Sequence, residues 1–341
     1  MPPEAHLAET NPLDPAAAIR EVLGADGHPV ESVEVRSVLT AGANRQTVKI
    51  GIHPGPVSAV AQIALRENDE QWIVPASDEA AILRTAAADG VPVPEVLAAG
   101  SSEAARADVL VTRFVSGETI PRRVLRSLAE TANSEQSMAT SCGQALAAIH
   151  GIDAGSVALT RPLETFEPAG YVDHLRERLD ELPVPYPTFR FALTVLADHL
   201  PEPRCKPNLV HGDFRNGNLI VADGTVQSVL DWELVHLGDP MEDLAWLCLR
   251  TWRFGHDRLE VGGFTDLNRL RAAYEANGGR WRQDAFDWWT MARSVWWGIG
   301  LAAQAARFID GTSSSIVHAA SGRRVVELEY DLLNLLAPLI G

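Results

Sequence analysis

The sequence predicts an α+β protein in which a small strand-rich part precedes a larger, mainly helical part. Two observations support this. Between residues 31 and 115, short apolar strand-like runs flank one capped helical stretch, SDEAAILRTAAADG, which begins at Ser77 and ends at Gly90. From residue 116 onward, helical periodicity dominates, and one short segment with strand character interrupts it. A chain of 341 residues is long enough to give both parts a core.

Three segments are predicted along the chain. Residues 1–29 hold an extension and a short helix, DPAAAIREVLG. Residues 30–115 form the strand-rich part, and residues 116–341 form the helical part. The stretch SGETIPRR, which opens the third segment, is the predicted hinge between the two parts.

Composition excludes several classes of protein. A net charge of −16 argues against nucleic-acid binding, which requires a basic face. No apolar run approaches the roughly 18 to 20 residues that span a bilayer, and the N-terminus lacks the features of a secretory signal. The three cysteines are far apart and lack CxxC spacing, which favours a reduced, cytoplasmic setting. We expect a small-molecule partner, and the sequence predicts no oligomeric state.

The strand-like interruption is NLVHGDFRNGNLIVADGTVQSVLDWE, residues 208–233. Its apolar runs LIV and VQSVL, separated by ADGT, indicate a β-hairpin. A two-residue loop at Gly224 and Thr225 would set Asn218 directly opposite Asp231. A loop that begins one residue earlier would shift the pairing by two residues and still leave these two side chains close.

The hairpin therefore gathers oxygen-bearing side chains. Asn218 and Asp231 stand at adjacent strand ends, and Asp213 lies on the loop before them. Amide and carboxylate oxygens suit a hard cation such as Mg²⁺, which takes substrate phosphates and waters as its remaining ligands. The sequence therefore predicts that the loop holds a base and half of a magnesium site, and that the hairpin supplies the other half.

Two motifs in and after this segment resemble a known family. HGDFRNGN resembles the catalytic loop of the protein-kinase-like fold in its small-molecule form, HGDxxxxN. LDWELVHLGDPMEDLAW resembles the metal-binding segment and following helix of the aminoglycoside phosphotransferase family. The spelling HGDxRxGN, LDWE, GDPxxDLAW is typical of the branch that includes the kinase-like domains fused to acyl-CoA dehydrogenases. The resemblance is dense over residues 209–247 and implies a bilobal protein-kinase-like fold, with a small β-rich N-lobe and a larger, mainly helical C-lobe.

The resemblance assigns roles within the catalytic loop. Asp213 is the expected catalytic base, which takes the proton of the acceptor hydroxyl. Asn218 and Asp231 are the expected ligands of a Mg²⁺ that bridges the ATP phosphates. His211 and Arg215 belong to the same catalytic set: we expect His211 to brace the loop, and Arg215 either to contact phosphate or substrate or to be structural.

Residues after the hairpin are assigned mainly to support. Glu233 is a candidate ligand for a second metal ion. Asp239, with Pro240 and Glu242, is typical of a helix start in which the Asp is the N-cap. Asp243, inside that helix, supports the catalytic loop according to the resemblance.

The strand-rich part is expected to bind the nucleotide. TAGANRQT resembles the strand–turn–strand that covers the phosphates, although the branch usually has GxSNxT there. Arg66 stands where protein kinases have a phosphate-gripping lysine, with Glu79 as its candidate partner, and the strand end before the hinge would offer backbone groups to adenine. The residues assigned to the nucleotide are Gly42, Ala43, Asn44, Arg66, Glu79, Arg113, Phe114 and Val115.

A tryptophan-rich helical stretch, residues 284–309, lies where the family builds acceptor sites. Its apolar stripe is typical of a protein core, and the resemblance makes Arg293, Trp297 and Trp288 candidates for acceptor contact.

These observations predict an ATP- and Mg²⁺-dependent O-phosphotransferase that acts on a hydroxyl group of a small molecule. The acceptor is either a hydroxyacyl-type metabolite, which the branch favours, or an aminoglycoside or other cationic alcohol, which the acidic charge favours. Two alternatives from other classes are a catalytically inactive nucleotide-binding protein and a metal-dependent hydrolase. The hydrolase does not explain the kinase-like order of the motifs.

Overall fold

The computed structural model describes residues 14–28, 30–41, 45–55, 57–65, 74–202 and 206–340. The chain divides into two compact units, one made of Met1–Arg84 with Pro94–Phe114 and the other of Thr85–Val93 with Val115–Gly341. The first is strand-rich and the second mainly helical, which confirms the predicted α+β class.

The first unit is built on one antiparallel sheet of five strands, in the order β1-β2-β3-β5-β4. The strands are β1 Ser32–Ala41, β2 Arg45–His53, β3 Val57–Leu65, β4 Val96–Ser102 and β5 Ala107–Arg113. The helices that begin in this unit are α1 Pro15–Ala25 and α2 Ala76–Ala88.

The core of the first unit lies between α1 and the sheet. Asp14 caps α1, since its Oδ1 accepts hydrogen bonds from the amides of Ala16 and Ala17 at 3.0 and 3.3 Å. The apolar residues of the helix recur at helical spacing, and they are buried with the inward side chains of the strands. This group includes Ile19, Val22, Leu23, Ile50, Ala61 and Val109. The apolar face of the short helix α1 thus packs on the sheet.

The second unit is mainly helical. Its helices are α3 Pro121–Ala129, α4 Ser134–Gly151, α5 Pro168–Asp180, α6 Pro187–Asp198, α7 Met241–Cys248, α8 Leu267–Ala276, α9 Gln283–Ile309 and α10 Ile316–Ile340. Its strands form two antiparallel pairs, β6 Asn208–Val210 with β9 His236–Gly238 and β7 Leu219–Ala222 with β8 Thr225–Val229. Single 3₁₀ turns span Ala154–Ser156 and Arg250–Trp252.

Two features of this unit bear on the composition-based expectations. Cys142 and Cys248 are unpaired and buried, and burial raises the pKa of the Cys248 thiol to about 12. Both therefore behave as apolar core residues, while Cys205 lies outside the described residues. Within the described part of the chain, no helix is both long and apolar enough to cross a bilayer.

Candidate active site

The hairpin loop between β7 and β8 consists of Asp223 and Gly224, because Ala222 pairs with Thr225. Both loop residues have positive φ, 51° for Asp223 and 75° for Gly224. That combination is a type I′ turn, whose twist matches the strands and which an Asp-Gly pair adopts readily. The first predicted register, with a loop at Gly224 and Thr225, is therefore wrong, and the alternative loop is the one observed.

The two predicted metal ligands stand at the open end of this hairpin. The observed loop moves the strand pairing by two residues from the first predicted register. A register shift between Ile220 and Val221 reduces this difference to one residue. Beyond it, the amide of Leu230 donates to the carbonyl of Asn218 at 2.8 Å. Asn218 therefore lies beside Leu230, the residue before Asp231. At Asp231 a φ of 67° turns the chain sharply. Proximity of the two residues, the essential part of the prediction, is preserved. Two residues further along is the half-buried Glu233, which stays a candidate ligand.

The carboxylate of Asp213 is held from several sides. Its Oδ1 accepts hydrogen bonds from Nε1 of Trp246 at 2.7 Å and from Nε of Arg215 at 3.0 Å. Its Oδ2 accepts from Nδ2 of Asn218 at 2.6 Å, and the same Nδ2 lies 3.0 Å from the carbonyl of Asp213. Hydrogen bonds to an ionised carboxylate are among the stronger ones in proteins. Asp213 is thus fixed in one orientation beside a predicted metal ligand.

His211 braces the catalytic loop. Its Nδ1 accepts from the amide of Asp213 at 3.1 Å, and its Nε2 donates to the carbonyl of Leu230 at 3.1 Å. Burial lowers the pKa of the imidazole, which keeps it in the neutral form that this bonding pattern requires. Both nitrogens are engaged within the protein, so the bracing role is the one that the geometry supports.

The buried carboxylate of Asp243, on α7, holds the start of the catalytic loop through two backbone amides. Its Oδ1 accepts from the amide of Gly212 at 2.8 Å and its Oδ2 from the amide of His211 at 2.7 Å, and Nε2 of His150 lies 3.2 Å from Oδ2. Burial alone would raise the pKa of Asp243, but the hydrogen bonds and positive potential from its partners lower it to about 2. The loop also needs glycine at 212, where φ is +79° and a Cβ would lie 2.5 Å from the carbonyl oxygen of Leu234.

Asp239 supports the start of α7. Its Oδ1 accepts from the amide of Met241 at 3.1 Å and its Oδ2 from Arg282 at 2.7 Å. The helix begins at Met241 with Pro240 in the N-cap position, one residue later than the sequence predicts. Asp239 still caps a free helical amide, since its side chain reaches one residue further into the chain.

Two of the three acceptor candidates are buried. Arg293 is 3 % exposed and Trp288 is 5 % exposed. Nε1 of Trp288 donates to the carbonyl of Leu196 at 3.0 Å. The guanidinium of Arg293 donates to the Tyr171 hydroxyl, the Glu242 carboxylate and the carbonyl of Gly212. Their predicted acceptor contact is wrong, because α9 points these side chains into the core. Trp297 is half-buried and stays a candidate.

Arg293 instead belongs to a buried charge network. It donates to Oε1 of Glu242 at 2.9 Å, while Oε2 of Glu242 lies 3.0 Å from Nε2 of His236. Burial would lower the pKa of His236, but the neighbouring Glu242 carboxylate outweighs it and raises that pKa. Glu242 thus has a basic side chain on each of its oxygens. The sequence analysis gave Glu242 only a role at the helix start.

In the first unit, four of the predicted nucleotide contacts, Gly42, Ala43, Asn44 and Arg66, lie outside the described residues. Glu79 is 1 % exposed and accepts a hydrogen bond from Arg45 at 2.6 Å. Arg45 also donates to the carbonyl of Val74 at 3.3 Å. Sequence reasoning missed Arg45 as a partner of Glu79, although this arginine directly follows the turn that the family resemblance identified.

The strand end predicted to meet adenine is partly engaged. The amide of Arg113 donates to the carbonyl of Glu95 at 2.8 Å, and the amide of Phe114 donates to the carbonyl of Ser58 at 3.0 Å. These two N–H groups are engaged within the first unit, so an adenine contact by Arg113 or Phe114 would have to use other backbone groups. The ring of Phe114 packs under Nζ of Lys49, 3.7 Å from the ring centroid. Val115 begins the residues assigned to the second unit and stays a candidate.

Comparison with known proteins places the chain in a family. Residues 36–290 match the phosphotransferase enzyme family, abbreviated APH. This match covers most of the chain, so the chain belongs to that family and is a phosphotransferase of the small-molecule kinase class. The predicted family is thereby confirmed.

Individual relatives agree with this assignment. Mouse acyl-CoA dehydrogenase family member 10 is 30 % identical over 205 residues, which are 55 % of this chain and 18 % of that protein. The chain therefore spans under a fifth of that relative's length, and the match confirms the resemblance to the acyl-CoA dehydrogenase-linked branch.

Solved structures share the fold. A Ralstonia eutropha protein assigned to the aminoglycoside phosphotransferases superposes with a TM-score of 0.73 at 22 % identity, over 91 % of this chain and 93 % of that one. A spectinomycin phosphotransferase determined with ADP and spectinomycin gives a TM-score of 0.60 at 11 % identity, over 94 % and 99 %. At these identities the likeness establishes the fold alone, and it confirms the protein-kinase-like architecture.

Proposed function

We propose that the protein is an ATP- and Mg²⁺-dependent kinase that transfers the γ-phosphate to a hydroxyl group of a small molecule. The observation that carries this proposal is the Asp213 carboxylate, fixed by Trp246, Arg215 and Asn218. A general base needs a defined orientation and an oxygen that can take a proton, and this arrangement supplies both. The ADP bound to a spectinomycin phosphotransferase of the same fold supports the choice of an adenine nucleotide.

The residues present fit a magnesium ion. Asn218 uses its Nδ2 to hold Asp213, which leaves its Oδ1 on the opposite side of the amide group. Together with the carboxylate of Asp231, it offers hard oxygen ligands from neighbouring points of the hairpin. Mg²⁺ in phosphotransferases takes only one or two carboxylates from the protein and fills its octahedron with phosphates and water. When bound there, the ion would neutralise charge on the phosphates.

The other residues of the loop would act on the acceptor. Asp213 would orient the acceptor hydroxyl and receive its proton while the phosphoryl group passes directly from ATP to the acceptor oxygen. Arg215, whose guanidinium stacks 4.5 Å from the ring centroid of Trp252, is placed to interact with negative charge near that carboxylate. No covalent intermediate on the enzyme is needed.

ATP turnover measured with and without a panel of alcohols tests the proposal. The panel should contain hydroxyacyl thioesters, free hydroxy acids, sugars and aminoglycosides. We expect one class to accelerate ADP release and to gain a phosphate, as detected by mass spectrometry. Binding of ATP and Mg²⁺ without any turnover would favour the inactive nucleotide-binding alternative, and phosphate release that no alcohol diverts would favour the hydrolase.

Nucleotide binding should depend on the metal. Asn218 and Asp231 bring one negative charge between them and cannot neutralise a triphosphate, so ATP should stabilise the fold weakly in EDTA and more strongly with Mg²⁺. A ligand at about 100 times its Kd adds roughly 2.7 kcal/mol to the unfolding free energy, which is readily seen in a thermal shift. Substituting Asp231→Asn should remove most of the Mg²⁺-dependent increment. Equal shifts in both conditions would contradict the magnesium assignment.

For the acceptor we favour a hydroxyacyl-type metabolite over a cationic alcohol. The LDWE and GDPxxDLAW spellings and the similarity to an acyl-CoA dehydrogenase family member support this choice. The structure adds a further argument. The indole rings of Trp246, which donates to Asp213, and of Trp252 already carry arginines of the protein, with Arg293 on Trp246 and Arg215 on Trp252. A cationic acceptor would have to displace them to use those faces.

Salt dependence separates the two acceptor classes. For a polycationic acceptor, the net charge of −16 should speed capture, and kcat/KM should fall steeply as the Debye length shrinks from about 30 Å at 0.01 M salt to about 8 Å at 0.15 M. For a hydroxyacyl acceptor, the dependence should be shallow, and Trp297→Ala should raise its KM without changing ATP affinity. Efficient phosphorylation of kanamycin-type compounds and no activity on hydroxyacyl compounds would overturn the preference and leave the kinase assignment intact.

A further inference from the structure

We propose that Trp246 and Arg293 form a positioning pair that presents Oδ2 of Asp213, rather than Oδ1, to the acceptor hydroxyl. Trp246 donates a hydrogen bond to the base, and Arg293 contacts the Trp246 ring and the carbonyl of Gly212, the residue before the base. This inference rests on the proposed function of Asp213 as the catalytic base, and the experiments below separate its failure from the failure of that function.

The two oxygens of Asp213 differ in their hydrogen bonds. Oδ1 accepts from Trp246 and Arg215, at 2.7 and 3.0 Å, whereas Oδ2 accepts only from Asn218 among the described residues, at 2.6 Å. A carboxylate offers about four lone-pair positions, two on each oxygen. Both positions on Oδ1 are therefore used, and one on Oδ2 remains open for a proton. Without the indole N–H of Trp246, the two oxygens would be nearly equivalent and the carboxylate less fixed.

Arg293 is the second residue of the positioning pair. Its guanidinium packs against two indole rings that are nearly perpendicular to each other, 4.3 Å from the ring centroid of Trp246 and 4.3 Å from that of Trp296. It also donates to the carbonyl of Gly212 at 2.6 Å, and this carbonyl belongs to the peptide that leads into Asp213. One planar group thus fixes both the backbone before the base and the ring that bonds to the base.

The guanidinium of Arg293 has a buried counter-ion other than the base. Glu242 accepts from its NH1 at 2.9 Å, and the hydroxyl oxygen of Tyr171 accepts from the same nitrogen at 3.2 Å. Such an arrangement needs the flat, multiply donating guanidinium, because an ammonium group cannot pack flat against an indole ring while it reaches three acceptors in a fixed fork. Arg293 therefore stays in place as a support and leaves the Asp213 carboxylate available for proton transfer.

The resulting step conserves atoms and electrons. The O–H bond of the acceptor breaks and its proton passes to Oδ2 of Asp213. The acceptor oxygen forms a bond to the γ-phosphorus of ATP, and the bond between that phosphorus and the bridging oxygen breaks, so ADP leaves with the electron pair. The phosphorylated alcohol is released, and Oδ2 returns its proton to solvent.

A spectroscopic test needs no activity. The chain has nine tryptophans, so ¹⁵N-labelled tryptophan gives a small set of indole N–H signals. One signal should lie downfield because its proton is donated to an anionic carboxylate, and it should move upfield in Asp213→Asn and vanish in Trp246→Phe. Arg293→Lys should move the same signal, since the ring loses its stacked partner. A spectrum in which Asp213→Asn moves no indole signal would overturn the pairing, even if Trp246→Phe failed to fold.

A kinetic test uses ATP with water as the acceptor, so that no identified alcohol is required. Trp246→Phe removes a hydrogen bond to a charged group and should lower kcat by about 10- to 100-fold while the KM for ATP changes less than about twofold. Trp289→Phe is the matched control. Trp289 is equally buried, but its Nε1 has no hydrogen-bond partner within the described part of the chain, so kcat should be unaffected.

The outcomes separate the two hypotheses. Equal effects of Trp246→Phe and Trp289→Phe on kcat, with Asp213→Asn inactive, would overturn the positioning role and leave the base assignment in place. If Asp213→Asn moves the Trp246 indole signal upfield but turns over ATP at the wild-type rate, the base assignment is rejected. The hydrogen bond between Trp246 and Asp213 is then still supported. Loss of kcat in Trp246→Phe and Arg293→Lys, without loss in the control, is the expected result.

Discussion

Replacing Asp213 with asparagine is expected to lower ATP turnover by about two to four orders of magnitude and to leave ATP affinity nearly unchanged. Asparagine has the shape of aspartate and retains one oxygen, which can still accept from Trp246 and Arg215. Its amide nitrogen cannot take a proton from the acceptor. That nitrogen also replaces the oxygen that accepts from Nδ2 of Asn218, so this one hydrogen bond is lost. The variant therefore removes the base and keeps the contacts of Oδ1, so the loss should appear chiefly in kcat and much less in nucleotide binding.

The hairpin turn offers a matched control. Asp223→Asn makes the same chemical change at an exposed residue with a φ of 51°, a left-handed conformation that asparagine also adopts readily. Its turnover and its thermal stability should equal those of the wild type. Undiminished turnover in Asp213→Asn, measured beside this control, would reject Asp213 as the base.

The fold and the catalytic loop were predictable because their signals are local. The Asp-Gly loop of the hairpin, the period of the helices and the order of the motifs all lie within short stretches of sequence. The register error arose at one point. A Gly-Thr loop and an Asp-Gly loop are both compatible with ADGT, and the choice depends on which twist the strands adopt. A register shift between Ile220 and Val221 then brought the observed pairing at the open end of the hairpin one residue closer to the predicted one.

Sequence reasoning missed Trp246 and misassigned the role of Arg293, and both residues are bonded over long separations. Trp246 reaches Asp213 across 33 positions, and Arg293 reaches Gly212 across 81. A tryptophan- and arginine-containing helix has the same pattern whether it lines a pocket or fills a core, since period alone does not say what the helix faces. Burial decided the matter, because α9 turns Arg293 inward onto two indole rings.

The same limit applies in the first unit. Glu79 was expected to pair with Arg66, which lies outside the described residues, and the partner seen among the described residues is Arg45 at 2.6 Å. Thirty-four positions separate the two residues, and the sheet brings them together through the start of β2. A buried acid without a nearby cation in sequence indicates that a distant cation must exist, but not which one.

Asp243→Ala should be the most destabilising substitution in the second unit. Asp243 is fully buried and accepts hydrogen bonds from the amides of His211 and Gly212, with His150 beside it. Alanine would leave these donors buried without an acceptor, and breaking a buried polar arrangement from one side costs about 3 to 5 kcal/mol. Denaturant unfolding at neutral pH measures the loss, and Asp173→Ala on the exposed face of α5 is the control, with an expected change of less than about 0.5 kcal/mol.

The contribution of Asp243 should also disappear in acid. Its pKa is lowered to about 2 in the folded chain from an ordinary value of 3.8. Because the folded-state pKa is depressed, the stabilisation is fully present above about pH 4 and is lost as the pH falls toward about 2, by roughly 2 kcal/mol in total. The difference in unfolding free energy between the wild type and Asp243→Ala should therefore narrow over that interval. A gap that remains constant through the interval would show that the ionised carboxylate does not anchor the loop, and that the amides of His211 and Gly212 are held by the shape of the chain alone.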